Sequence, residues 1–236
     1  MTFRFTYHQA ILDTFPSAEA GVLFGRGVTN QPSSPELKAA YFIEQEAVLA
    51  DIGDTPLSEL EPLAAWRGAF RQFGVNPTKY RSAIEALLRR LTKKGDIPSI
   101  NALVDIGNLV SIRHRVPVAM FDADRTGGEI TVQLAQGDEP FTPLFEKEIE
   151  HPEPGEVIFV DGNGNVAARR WCWRQSDQSA SRPDTQALIA VTEAHHPAAR
   201  QAVQAAITDL RDLIAEYLGG EMVLSRVGEG QGTAQG

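Results

Sequence analysis

The chain has 236 residues, of which 42% are hydrophobic and 22% charged, with a formal net charge of -9. These proportions allow a real core and exclude wholesale disorder, and the acidic balance argues against a protein that coats nucleic acid indiscriminately. A single cysteine, Cys172, excludes an internal disulfide, and the absence of Cys/His ligands at short spacing excludes a structural zinc site, so neither metal nor cofactor is expected.

Met1-Thr2-Phe3-Arg4-Phe5 carries polar and charged residues where a signal peptide is apolar, and no run approaches the ~18 apolar residues of a membrane span. A cytoplasmic chain without membrane contact is the expectation. In chain order, the spacing of apolar positions predicts a helix over 36–50 and a second from Pro62 to Phe73, ended by Gly74 and the turn-forming Asn76-Pro77. Ser82 with Glu85 three residues on forms a capping-box pattern, so a third helix runs from about Ala83 to Gly95. Ser99 to Arg115 predicts a mostly buried helix, with Asn101, Asp105 and Asn108 recurring at i, i+4 and i+7. Beyond Pro117 the period becomes two. Strands are predicted at Val118–Phe121, Glu129–Leu134, Glu156–Val160, Val166–Arg174, Ala187–Val191 and Glu221–Val227, with a hairpin turn in Asp161–Asn165. A last helix spans Pro197 to Leu218, the segment Ser176–Ser181 reads as a mobile flap, and residues 228–236 read as a disordered tail. One domain over 1–227, with a helical N-terminal extension, is the expected organisation.

Charge is unevenly placed. Glu36, Glu44, Glu46, Asp51, Asp54, Glu59 and Glu61 face Lys38 alone. From Trp66 to Lys94 the balance reverses, with Arg67, Arg71, Lys79, Arg81, Arg89, Arg90, Lys93 and Lys94 against Glu85. Two readings stand for that segment, a polyanion surface and ordinary solvated helix faces. Arg169-Arg170-Trp171-Cys172-Trp173-Arg174, taken as a strand, places Arg169, Trp171 and Trp173 on one face. It reads either as a surface that holds phosphate and stacks bases or as packing covered by Arg stems. The Asn101, Asp105 and Asn108 stripe likewise reads as a pocket wall or as capping and internal hydrogen bonding. His195-His196 lacks supporting acid–His spacing for a metal, and Cys172 lacks an evident base.

The run from Ile97-Pro98 through Val104-Asp105-Ile106-Gly107-Asn108-Leu109-Val110, followed by Pro117-Val118-Ala119-Met120-Phe121-Asp122, resembles the signature of the B3/B4 domain family. Trp66-Arg67, Phe70, Lys79-Tyr80-Arg81 and Asp184-Thr185-Gln186 are similar to its flanking blocks. This family includes the editing module of the phenylalanyl-tRNA synthetase β subunit, which hydrolyses tyrosine wrongly attached to phenylalanine tRNA in a pocket between helical and sheet layers. The resemblance implies an α+β fold with a β-sandwich-like core of unusual topology flanked by helices. It implies tRNA or aminoacyl-tRNA as partner, with hydrolysis of a mischarged ester in trans, or a binding module without hydrolysis. A metabolite-binding protein without RNA is a third class. Carried onto this sequence, Asn108 keeps the pocket asparagine, Gly107 replaces the adjoining threonine, and Ala119 replaces the pocket histidine, which enlarges the pocket. The family glutamate falls near Val191, and Glu193 returns to the same face two residues later. Glu193 and Asn108 are thus the expected catalytic pair, Asn101, Asp105 and Ala119 the pocket, and Lys79, Tyr80, Arg81, Arg169 and Arg174 the RNA contacts.

Overall fold

A computed structural model describes residues 2–236. In chain order the elements are β1 (Arg4–Tyr7), α1 (Gln9–Thr14), β2 (Glu19–Arg26), α2 (Pro35–Ile52), α3 (Glu61–Gln72), α4 (Ala83–Lys94), α5 (Ala102–His114), β3 (Val118–Asp122), β4 (Glu129–Leu134), β5 (Val157–Asp161), β6 (Val166–Arg169), β7 (Arg174–Gln175), β8 (Ala187–Ala194), α6 (Ala199–Leu218), β9 (Glu221–Val227) and β10 (Thr233–Gln235). The strands form a six-stranded sheet, β10-β1-β4-β5-β6-β7, and a four-stranded sheet, β3-β8-β2-β9. The fold is therefore α+β with two facing sheets and flanking helices.

Aromatic side chains close the space between the sheets. Phe159 of β5 lies 6.2 Å from Phe5 of β1 and 5.6 Å from Phe121 of β3, centroid to centroid. Burial of large rings supplies most of the driving force that holds two such sheets together. Every residue of β8 is buried, because sheet neighbours flank it on both sides and layers cover both of its faces. The outer face of the four-stranded sheet carries α5 and α6. Gly107 on α5 lies where a Cβ would collide with the Met120 side chain of β3, and Gly21 on β2 where one would meet the Val203 carbonyl oxygen of α6 at 2.8 Å. Gly21 therefore permits a close helix–sheet approach, whereas at Gly107 the obstacle is the flexible end of a Met side chain, which can shift.

The helix termini follow local chemistry. Ser82 Oγ accepts from the Glu85 amide, and Gly95 closes α4 at φ 82°. Glu85 does not complete the box, because its carboxylate is held by Arg67 Nη1 at 2.8 and 3.1 Å. Gln45 of α2 pins the loop before α5, accepting from the Ile97 amide at 2.6 Å and donating to its carbonyl.

The structure corrects four expectations. The N-terminal part is not merely a helical extension, since β1 and β2 are strands of the two sheets and β2 pairs on both sides. The tail is not wholly disordered: β10 pairs antiparallel with β1 through Arg4↔Gln235, Phe5↔Ala234 and Thr6↔Thr233. Ser176–Ser181 is no loose flap, because Ser176 and Ser179 are fully buried and their hydroxyls are hydrogen-bonded 3.0 Å apart. The strand expected over Val166–Arg174 stops at Arg169. Arg170 and Trp171 then take positive φ, 46° and 60°, and reverse the chain into β7. The Asp161–Asn165 hairpin turn is present, with Asp161 Oδ1 accepting from the Asn163 and Asn165 amides.

Candidate functional site

The turn after β6 builds the site. Its backbone is fixed by the Trp171 amide donating to the Val157 carbonyl at 2.7 Å, and the Ala83 amide donates to the Cys172 carbonyl at 2.8 Å. Those bonds tie the turn to β5 and to the start of α4. Two consecutive non-glycine residues with left-handed backbone cost roughly 1–3 kcal/mol each, and such strain persists only where the surroundings over-determine it. The reversal sends Trp171 inward and leaves Arg170 and Trp173 toward the surface.

Inside, Trp171 is fully buried, packed edge-to-face on Phe15 and Trp66 at 4.9 and 5.4 Å, with His195 at 4.7 Å. Its indole Nε1 donates to Glu193 Oε1 at 2.8 Å, and the Tyr7 hydroxyl donates to the same oxygen at 2.5 Å. Glu193 is only 3% exposed. Burial raises its carboxyl pKa to about 7, against the two hydrogen bonds, which favour the charged form. Burial and the neighbouring Glu193 hold the Tyr7 phenol and the Cys172 thiol well above their ordinary values, so Cys172 stays a thiol rather than a nucleophile. Burial depresses His195 to about 3, so its imidazole is neutral.

Glu193 lines a cavity of about 80 Å³ between the sheets, together with Ala119, Phe121, Phe159, Trp171 and Cys172. Glu193 and Ala119 thus share one space, as their assigned roles require. Asn108 does not. It lies beside the Tyr41 phenol on α2, on the helical side of the four-stranded sheet. Asn101 caps α5, accepting from the Val104 amide at 3.1 Å. Asp105 is fully buried and accepts from Ser33 Oγ, Ser99 Oγ and the Ile100 amide, which anchors two loops. Neither Asn101, Asp105 nor Asn108 lines the cavity, so the i, i+4, i+7 stripe works in capping and internal bonding. The cavity also lies between the sheets rather than between a helical and a sheet layer.

At the cavity mouth Trp173 and Arg174 continue outward into a basic aromatic stack. The Arg170 guanidinium carbon lies 3.9 Å from the Tyr80 ring centroid and 4.5 Å from that of Trp173, whose rings are 5.0 Å apart. The Lys79 ammonium lies 5.0 Å from the Tyr80 ring, and Arg174 lies near Trp173 while pairing with Glu146 at 2.6 Å. Hydrogen bonding to Lys79, then the charges around it, lower the Tyr80 phenol. Beside it, a groove is lined by Arg67, Arg81, Arg89 and Lys93 around Glu85. Arg169 is absent from this surface. It is 4% exposed and its guanidinium is committed to Glu156 at 2.9 and 3.0 Å and to Glu150 at 2.8 Å, leaving it no role as an RNA contact. Sequence reasoning missed Tyr7, and also Arg170 and Trp173 as a pair. The alternation Phe3-Arg4-Phe5-Thr6-Tyr7 was a period-two signal for β1, whereas nothing local marks the reversal at Arg170-Trp171.

Comparison with known proteins finds that the B3/4 domain matches residues 65–219. Phenylalanine–tRNA ligase beta subunits are similar over parts of the chain: 34% identical over 127 residues in Nitrosococcus oceani (53% of this chain, 15% of that one) and 33% over 100 residues in Neisseria gonorrhoeae (42% and 13%). The subunit of Ruegeria pomeroyi is 40% identical over 65 residues, 28% of this chain and 8% of that one. The matches therefore span a small part of those subunits. A crystal structure of an N-terminal fragment of the phenylalanyl-tRNA synthetase beta subunit from Pyrococcus horikoshii aligns with a TM-score of 0.48 at 12% identity, covering 95% of this chain and 54% of that one.

Proposed function

The chain belongs to the B3/4 domain family, and from that premise we propose that it binds the aminoacyl end of tRNA and hydrolyses a mischarged ester in trans, with Glu193 as the general base. The observation that carries this is the buried Glu193 carboxyl on the cavity wall, with a pKa of about 7. A base poised near neutrality is half-ionised at working pH and still strong enough to take a proton from water attacking the ester carbonyl. Glu193 Oε1 already receives the Tyr7 and Trp171 donors, so Oε2 is the atom that would take that proton.

The mouth supplies the nucleic-acid contacts in this reading. Tyr80 and Trp173 offer ring faces for a terminal base, worth roughly 1–3 kcal/mol per stacked base. Lys79, Arg170 and Arg174, with Arg81, Arg89 and Lys93 of the adjoining groove, meet backbone phosphate. A second reading, binding without hydrolysis, draws on one observation: Asn108, the expected partner of Glu193, is outside the cavity.

The test uses purified protein against a panel of mischarged tRNAs. Deacylation of at least one species, with tRNA affinity that falls steeply as salt rises, is the expected result. Salt-sensitive binding with no deacylation anywhere would leave the binding module, and no tRNA binding at all would reject both.

A further inference from the structure

We infer that the cavity, if it receives an aminoacyl group as proposed above, selects small side chains, such as glycyl, alanyl and seryl esters, and rejects aromatic ones. The argument is one of size. A cavity of about 80 Å³ is about half the size of an apolar cavity that takes up benzene, which measures about 150 Å³. A phenol ring is larger than benzene.

The space beside Ala119 is bounded by aromatic rings. Phe121 and Phe159 stand in contact at 5.6 Å between centroids, and both are buried. Trp171 is wedged against Phe15 and Trp66 and bonded to Glu193. Rings packed this way on both sides lack room to swing aside, since interiors pack at near-crystalline density. Admitting an aryl group would displace one of them, which costs about as much as overpacking a core, roughly 1–3 kcal/mol and therefore about 5- to 150-fold in affinity.

The test compares tRNAs whose 3′ end carries an amino acid through a non-hydrolysable amide, with uncharged tRNA as baseline, by isothermal titration. Alanyl and seryl species should bind at least about fivefold more tightly than the tyrosyl species, the lower bound of the fold expected from the overpacking cost. Tyrosyl-tRNA binding as tightly as seryl would overturn this selection and leave the functional reading intact. Binding that no attached amino acid strengthens would instead reject the functional reading, and this selection with it. Ala119→Leu, which fills the cavity, should erase the advantage of the seryl species over uncharged tRNA; a retained advantage would place the amino acid elsewhere and overturn the inference.

Discussion

Glu193 holds a proton in the folded chain to a pH of about 7 against 4.5 for an unperturbed carboxyl. Below 4.5 it is protonated whether folded or not, and its contribution to stability is then fully present. Between 4.5 and 7 only the folded state keeps the proton, so this contribution is lost as pH rises, levelling above 7 at roughly 3 kcal/mol. Glu193→Gln keeps the acceptor for Tyr7 and Trp171 but cannot ionise. Urea denaturation should therefore show the variant more stable than the parent at pH 8 and equal to it near pH 4; taking the difference cancels every other titrating group. A variant less stable at both pH values would mean the carboxylate is a structural prop. Tyr7→Phe removes a donor that favours the charged form, so carbon-13 NMR of the Glu193 carboxyl should report a titration above 7; an unchanged or lower midpoint would count against the Tyr7 contact as a tuning bond. Glu193 was legible from its two-residue offset along a strand. Its donors were not, because Tyr7 and Trp171 lie 186 and 22 residues away and meet it only when the sheets face each other.

At the scale of the element, the reversal at Arg170-Trp171 decides what the basic run does. Alternation along Arg169–Arg174 is a strand pattern with no glycine or proline to interrupt it, and tertiary bonds override it. Adjacent arginines consequently differ in their main contacts. Arg169 makes the closer bonds to the buried Glu156, whereas Arg170, 3.6 Å from the same carboxylate, stacks between Tyr80 and Trp173. Arg169→Ala should destabilise the chain by up to about 3–5 kcal/mol, because the buried Glu156 is left with only the more distant Arg170 as counter-charge, yet leave tRNA affinity of the folded fraction unchanged. Arg170→Ala should do the reverse, weakening tRNA binding with a smaller loss of stability. Thermal unfolding and filter binding on both variants check the pair, and weakened binding in Arg169→Ala alone would reverse the assignment. The α5 stripe teaches a related lesson. Its spacing put Asp105 and Asn108 on neighbouring turns of α5, whereas the helix begins at Ala102 and Asn101 is its extended cap, and spacing does not say whether a cavity or a loop faces them. Ser33, Ser99 and the Ile100 amide, whose approach depends on loop paths, supply that answer for Asp105.

Across the whole molecule, an acidic chain presents a local basic face. Arg67, Arg81, Arg89 and Lys93 gather in one groove around the single carboxylate of Glu85, which pairs with Arg67 and Arg81, while Arg113, Arg115 and Arg226 pair with carboxylates elsewhere. The run of cations between Trp66 and Lys94 announced this in the sequence. Strands of both sheets were legible from Pro117 onward, and β4 and β9 alternate as half-buried strands do; β1, β2 and β10 were not recognised, and β1 and β10 are only four and three residues long. What the architecture achieves is a buried carboxyl a short distance behind a basic, aromatic mouth. The most direct measurement is the pH dependence of single-turnover deacylation on whichever mischarged tRNA the protein accepts. The rate should rise with pH and level above about 7 in the parent protein, and fall by about 10²–10⁴ with no such inflection in Glu193→Gln. A rate that Glu193→Gln leaves unchanged, or a profile without an inflection near neutrality in the parent, would contradict the assignment of Glu193 as the base.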